Sequence, residues 1–150
     1  MGAPCKRLIL GIGNPLRSDD AAGSIVARKL KRRGLTSIDA EFMPENYIGV
    51  IRRLKPEKII IVDTCNMALT PGDVRTIPLD TIHRGMFTAH SMPLSEVIQK
   101  LQEITPNIMF IGIQPENIEV GDTVSEAVKR AIEQVVELIN QGNEDTIPRL

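Results

Sequence analysis

Residues 8–20 read Leu8-Ile9-Leu10-Gly11-Ile12-Gly13-Asn14-Pro15-Leu16-Arg17-Ser18-Asp19-Asp20. The apolar start of this segment predicts a buried strand. The glycines and the Asn-Pro pair then predict a turn in which the glycines take up backbone conformations closed to other residues. The two aspartates precede a helical pattern, where the positive end of the helix dipole stabilises carboxylates. This order indicates a reactive edge of an α/β sheet, suited to metal or proton chemistry.

Strand patterns and helix patterns alternate along the rest of the chain, with short connections between them. The predicted strands are Arg7–Ile12, Ile38–Met43, Lys58–Asp63, Val74–Pro78 and Asn107–Ile113. The predicted helices are Ala21–Arg33, Glu45–Leu54, Pro93–Ile104 and Val124–Ile139. The fourth strand follows the third too closely for a helical crossover, so we expect it to run antiparallel at a sheet edge. The sequence therefore predicts an α/β three-layer sandwich: a mixed five-stranded sheet with one antiparallel edge strand and helices on both faces.

Length and composition indicate one domain with an adequate core. The chain has 150 residues, of which 42% are hydrophobic and 25% charged. We expect a single domain over residues 1–141 and a flexible polar tail over residues 142–150. A net charge of −1 with interspersed signs argues against nucleic-acid binding, and no apolar run reaches membrane-spanning length. Two cysteines without metal or disulfide spacing, Cys5 and Cys65, favour a reduced, cytoplasmic protein.

Polar side chains follow several of the predicted strands. Asp19 and Asp20 come after the first strand, Asp63 closes the third, and Gln114 follows the last. Ligands of open α/β sheets bind beyond the carboxyl ends of the strands, where such side chains meet. His90 lies in a loop just before a predicted helix. We therefore expect Asp20, Asp63 and His90 to converge.

Each of these residues also has a purely structural interpretation. Asp19 or Asp20 is of the type that caps a helix, and Asp63 would serve in a cap or a turn. A lone loop histidine such as His90 is more often hydrogen-bonded than a ligand. We interpret Cys65 as a small buried apolar residue rather than a nucleophile, because no histidine lies near it in sequence.

Four motifs together resemble one known family. They are Gly11-x-Gly13-Asn14-x-Leu16-x-x-Asp19-Asp20-Ala21-x-Gly23, Ile61-Val62-Asp63, His90-x-x-Pro93 and Gly112-Ile113-Gln114-Pro115. The chain resembles the hydrogenase maturation endopeptidases, which remove a C-terminal peptide from the large subunit of nickel-iron hydrogenases after nickel insertion. Within that family it is most similar to the branch that serves hydrogenase 3 of formate hydrogen lyase. This likeness rests on Met43-Pro44-Glu45-Asn46, Ile51-Arg52-Arg53-Leu54-Lys55-Pro56 and His90-Ser91-Met92-Pro93-Leu94.

The resemblance implies an activity, a site and a partner. Asp20, Asp63 and His90 match the family's metal-contacting and catalytic acid, acid and histidine. The implied metal is nickel, carried by the substrate and bound only weakly or transiently by this chain. The implied partner is the precursor of a nickel-iron hydrogenase large subunit, with no nucleic acid and no membrane insertion. We expect a monomer or a weak oligomer.

The chemistry of the three residues agrees with that implication. Two carboxylates and one imidazole are ligands that nickel, zinc and manganese all accept, and they leave positions open for water or substrate. Two alternatives from other classes stay open. One is a Rossmann-like nucleotide-binding protein, although the third glycine of that fingerprint would fall at Leu16. The other is a non-catalytic nickel or subunit chaperone.

Overall fold

The computed structural model describes residues 5–87 and 92–150. Within these ranges the strands are β1 (Arg7–Gly11), β2 (Ser37–Asp39), β3 (Lys58–Thr64), β4 (Val74–Thr76) and β5 (Ile108–Ile113). The α-helices are α1 (Ala22–Arg32), α2 (Ile48–Leu54), α3 (Leu94–Gln102) and α4 (Glu126–Asn140). Short 3₁₀ turns cover Ser18–Ala21, Pro44–Tyr47, Leu79–Thr81, Arg84–Met86 and Glu144–Thr146.

The five strands form one mixed sheet in the order β2-β1-β3-β5-β4. The first four strands in this order pair in parallel, and β4 pairs antiparallel to β5. The predicted mixed sheet with one antiparallel edge strand is confirmed. The central position belongs to β3, whose run of Ile and Val is stiff at χ1 and suits a strand covered on both faces.

Two core layers lie on opposite faces of the sheet. Because side chains alternate along a strand, Ile59 and Ile61 of β3 join one layer while Ile60 and Val62 join the other. The first layer contains residues of α2 and α3, and the second contains residues of α1 and α4. The predicted three-layer sandwich is therefore confirmed. No helix in the described ranges is long and apolar enough to cross a membrane.

Two of the predicted elements are shorter in the structure than the sequence predicts. The second strand, expected over Ile38–Met43, ends at Asp39. Glu41 has a φ of 52°, in the left-handed region, and turns the chain there. The helix expected over Glu45–Leu54 begins as a 3₁₀ turn, and only Ile48–Leu54 is α-helical. The remaining predicted boundaries differ from the observed ones by one or two residues, as is usual where helix and strand ends fray.

The C-terminal segment packs against the sheet, unlike the frayed tail expected from its polar composition. Glu144 is buried and forms an ion pair with Arg7 of β1. Further along, Thr76 of β4 donates its N–H to the carbonyl oxygen of Pro148 (2.9 Å) and accepts from the N–H of Leu150 (2.9 Å). The segment therefore covers the outer edge of β4.

Candidate active site

The turn after β1 brings α1 into backbone contact with the sheet. A Cβ on Gly23 would lie 2.0 Å from the carbonyl oxygen of Ile12 and 2.3 Å from that of Val62. A Cβ on Gly11 would lie 2.2 Å from the carbonyl oxygen of Gly23. Neither Gly11 nor Gly13 has a positive φ, so the expectation that they supply special backbone conformations is wrong. They are required because helix and sheet approach more closely than a side chain allows.

Asp19 is a fully buried acid that organises this edge. Its carboxylate accepts hydrogen bonds from the N–H groups of Glu116 (2.9 Å), Asn117 (3.1 Å) and Ser125 (2.7 Å), and from the Ser125 hydroxyl (2.9 Å). These donors belong to the loop between β5 and α4. Asp19 therefore does not cap α1, whose N-cap position is Ala21. It holds the loop between β5 and α4 against the turn after β1.

Asp20, in the 3₁₀ turn that follows β1, and Asp63, near the end of β3, are both buried. Their exposed fractions are 3% and 1%. Next to Asp63, the hydroxyl of Thr64 donates to the carbonyl oxygen of Asp19 at 2.9 Å, which ties the end of β3 to the turn that carries Asp20. The structure thus brings two of the three predicted site residues to the same edge of the sheet.

His90, the third predicted site residue, lies outside the described residues. The chain that leads toward it is held at the same edge, because the N–H of Asn66 donates to the carbonyl oxygen of Met86 at 2.7 Å. The ring of Phe87 packs edge-on against Phe110, with 5.5 Å between centroids. Within residues 5–87 and 92–150 no three His, Cys, Asp or Glu side chains are arranged to hold a metal ion.

Gln114 fixes the loop that follows β3. Its Oε1 accepts hydrogen bonds from the N–H groups of Met67 (2.7 Å) and Leu69 (3.3 Å), and its Nε2 donates to the side-chain oxygen of Asn66 (3.3 Å). This side chain is itself buried. Gln114 thus has a structural role at the edge where the sequence placed it.

Cys65 is fully buried, as expected of a small apolar residue. Burial, with the nearby Asp63 as a smaller cause, raises the pKa of its thiol to about 12. A thiol nucleophile needs a lowered pKa, because the thiolate is the reactive form. The environment of Cys65 therefore opposes that role.

Two residues that hold the site were not assigned this role from the sequence. Thr64 is an ordinary strand residue by pattern, and nothing local marks its hydroxyl as the link to Asp19. Ser125 is of a residue type whose side-chain oxygen commonly caps a helix. It does occupy the N-cap position, but its hydroxyl donates to Asp19 rather than capping the helix. The residue type of Ser125 indicates a role at the start of this helix, but nothing in the sequence indicates that Asp19 is its partner.

Comparison with known proteins identifies the family. The family model described as "HycI: Hydrogenase maturation protease" matches residues 24–142. The chain is 35% identical to the hydrogenase 3 maturation protease of Escherichia coli K12, with 91% of each chain covered. It is 33% identical to a putative hydrogenase maturation protease of Methanocaldococcus jannaschii, with 91% of this chain and 90% of the relative covered.

Solved structures agree with the sequence comparison. The crystal structure of a hydrogenase 3 maturation protease matches with a TM-score of 0.87 and 34% identity, covering 97% of this chain and 96% of that one. The maturation protease HycI of Thermococcus kodakarensis matches with a TM-score of 0.81 and 31% identity, covering 95% of each chain. The chain thus belongs to the hydrogenase maturation protease family and is a peptidase.

Proposed function

We propose that this peptidase removes the C-terminal extension of a nickel-iron hydrogenase large-subunit precursor, and that it recognises the nickel already bound there. Asp20, Asp63 and His90 are the residues that contact this metal. The observation that carries the proposal is the pair of buried carboxylates at one edge of the sheet, with Asp20 in the 3₁₀ turn that follows β1 and Asp63 near the end of the adjacent parallel strand β3. Such strand ends are where open α/β sheets bind their ligands.

The donor set suits a metal that arrives with the substrate. Carboxylate and imidazole groups accept nickel, and three ligands leave coordination positions for groups of the precursor. Asp20, Asp63 and His90 would hold such an ion, which would supply polarisation of a carbonyl group and acidification of a bound water. The chain's own part is to hold two carboxylates rigidly, through Asp19 and Thr64, in a place largely closed to solvent.

Nickel itself is part of the substrate in this proposal. An oxygen-rich set of three ligands follows the general affinity order in which copper exceeds nickel, so this chain alone does not select nickel. We expect the isolated protein to bind nickel with a dissociation constant above about 1 μM, that is, weaker than about −8 kcal/mol. Selectivity then comes from the ligands that the precursor supplies.

The reaction is tested by incubating the protein with a nickel-loaded precursor large subunit and measuring the mass of that subunit. Loss of a C-terminal peptide is the expected result. Stable association with no change of mass would favour the non-catalytic chaperone instead. A precursor incubated without the protein controls for spontaneous cleavage.

The proposal places this reaction in the cytoplasm. Cys5 and Cys65, the two cysteines of the chain, are both free thiols, as is usual in reducing compartments. We propose a monomer or a weak oligomer as the active form. Sedimentation equilibrium in the micromolar range measures this, and a tight oligomer would contradict it.

A further inference from the structure

Two loops at the carboxyl edge of the sheet are joined into one rigid unit. The N–H of Gly121 donates to the carbonyl oxygen of Leu16 (3.0 Å), and the N–H of Ser18 donates to the carbonyl oxygen of Gly121 (2.9 Å). The Ser18 hydroxyl donates to the carbonyl oxygen of Glu119 (2.8 Å). Ser18 also has a φ of 54°, a conformation that persists in a non-glycine residue only where surrounding contacts impose it.

This rigid unit presents two apolar side chains to solvent. Leu16 is 70% exposed and Val120 is 82% exposed, and the backbone bonds just described hold their loops side by side. We call these two residues the Leu16–Val120 ridge. The exposed positions of these two side chains bring no gain to folding, since neither side chain leaves water.

Other exposed apolar side chains gather at the same edge. Phe42 and Met43 follow β2, and their loop is joined to the turn after β1 by a hydrogen bond from the N–H of Gly13 to the carbonyl oxygen of Glu41 (2.7 Å). Together with the ridge, they are four of the six large hydrophobic side chains that are exposed in the described part of the chain. Scattered exposed apolar residues are ordinary, but a cluster at one edge marks an interaction surface.

The ridge is continuous with the candidate active site. The N–H of Asp20 donates to the carbonyl oxygen of Arg17 (3.0 Å), and the carbonyl oxygen of Asp20 accepts from the N–H of Asn14 (3.0 Å). Asp20 is therefore bonded on both sides to the loop that carries Leu16. Since a peptidase must bring a polypeptide to its site, a polypeptide that reaches Asp20 also reaches this ridge.

The loop around Val120 is acidic as well as apolar. Glu116, Glu119 and Asp122 are all exposed there, and the sequence has no basic residue between Gln114 and Lys129. Three exposed acidic residues here outnumber the one arginine beside Leu16, the half-buried Arg17. A partner that fits this loop therefore places apolar side chains on the ridge and positively charged side chains beside it.

We propose that the Leu16–Val120 ridge is the docking contact for an apolar, positively charged segment of the precursor, next to the peptide bond that is cut. This inference rests on the proposed function and names the surface that the substrate uses. The ridge acts in binding. It takes no part in the chemical step.

The test compares the kinetics of the double variant Leu16→Ser/Val120→Ser with the wild type on the nickel-loaded precursor. We expect KM to rise about tenfold with kcat unchanged. The melting temperature should not change, because both side chains are already exposed. The matched control is Val50→Ser, which changes an exposed valine on α2 and should leave KM unaltered. An unchanged KM in the double variant, or a loss confined to kcat, would overturn the proposal.

Ionic strength tests the charge of the docking segment. Added salt should raise the KM of the wild type, because it screens attraction between exposed charges. A KM independent of salt would contradict a positively charged segment.

Binding measurements separate the ridge from the proposed function. Immobilised precursor should bind the wild type more tightly than the double variant, whether or not cleavage follows. Binding without cleavage would therefore contradict the proposed function while supporting the ridge. Cleavage together with equal binding by the wild type and the double variant would support the proposed function and contradict the ridge.

Discussion

Buried acidic residues have different surroundings at the two ends of strands β1 and β3. At their starts, Arg7 and Lys58 lie opposite each other in register and share Glu144, which is only 2% exposed. Arg7 forms an ion pair with this carboxylate, and the Lys58 ammonium lies 3.9 Å from it. Basic side chains here neutralise a buried acid, which joins the C-terminal segment to the sheet.

Three aspartates are buried at the edge of the sheet where the same strands end. Asp19 is held by N–H and O–H donors, and Asp20 and Asp63 are buried at this same edge. Burying a carboxylate costs free energy of folding, because desolvation disfavours its charged form. We infer that the first end serves stability and the second serves binding, and the following predictions test that difference.

The largest expected effect is on cleavage, from substitutions at the end of the sheet where Asp20 and Asp63 are buried, which we call the acidic end. Asp20→Ala, Asp63→Asn and His90→Ala should each reduce cleavage of the nickel-loaded precursor below detection, because each removes a proposed metal contact. Mass spectrometry of the precursor measures this, with circular dichroism to confirm folding. The control is Asp145→Ala, which removes an exposed acid near Lys58 at the opposite end and should not alter cleavage. A normal rate in His90→Ala would refute the assignment of that residue.

The next effect is on stability, at Asp19. Asp19→Ala leaves several buried donors without their acceptor, so we expect a loss of roughly 3 kcal/mol in the free energy of unfolding. Ser125→Ala removes only one of these hydrogen bonds and should cost about 1 kcal/mol. Urea denaturation measures both. If Asp19→Ala were as stable as the wild type yet inactive, Asp19 would belong to the catalytic groups rather than to the scaffold.

A smaller loss in the free energy of unfolding is expected at the starts of β1 and β3, where Arg7 and Lys58 lie near Glu144. Arg7→Met breaks the ion pair with Glu144, but Arg7 is partly exposed and Lys58 remains nearby, so we expect a loss of about 1 kcal/mol. Cleavage by the folded variant should stay at the wild-type rate. Loss of cleavage without unfolding would show that the two ends are not separate in function.

Substitution of Cys65 is expected to have the smallest effect on cleavage. Cys65→Ser should cleave within about twofold of the wild type, because a metal-assisted hydrolysis needs no thiolate. With a pKa of about 12, the native thiol stays protonated at pH 8, so iodoacetamide should label Cys5 and spare Cys65. Folding favours the protonated thiol, so its stabilising effect is present below the usual pKa of 9.0 and is lost as pH rises toward 12. Complete inactivation of a folded Cys65→Ser protein would restore the nucleophile hypothesis.

The sequence predicted those features that local patterns determine. The apolar run of β3 and the short connection before β4 indicate a central strand and an antiparallel edge strand, and both are confirmed. The placement of Asp20 and Asp63 at strand ends followed from the same patterns. The role of His90 stays a prediction.

Features that depend on distant partners could not be predicted. Asp19 bonds to groups 97 to 106 positions away, and Glu144 pairs with Arg7, 137 positions before it. No local pattern indicates such contacts. The sequence therefore suggests a helix cap as one interpretation of Asp19 or Asp20, and it predicts a flexible tail for the C-terminal segment. The glycines were correctly singled out, but their purpose depends on how closely α1 approaches the sheet.

The most direct test of the central claim is the nickel dependence of cleavage. Two preparations of one precursor, nickel-loaded and nickel-free, are incubated with equal amounts of the wild-type protein, and the mass of each is followed over time. We expect the loaded precursor to lose its C-terminal peptide and the nickel-free precursor to remain intact. Equal cleavage of both would contradict the claim that the acidic end of the sheet recognises nickel held by the substrate.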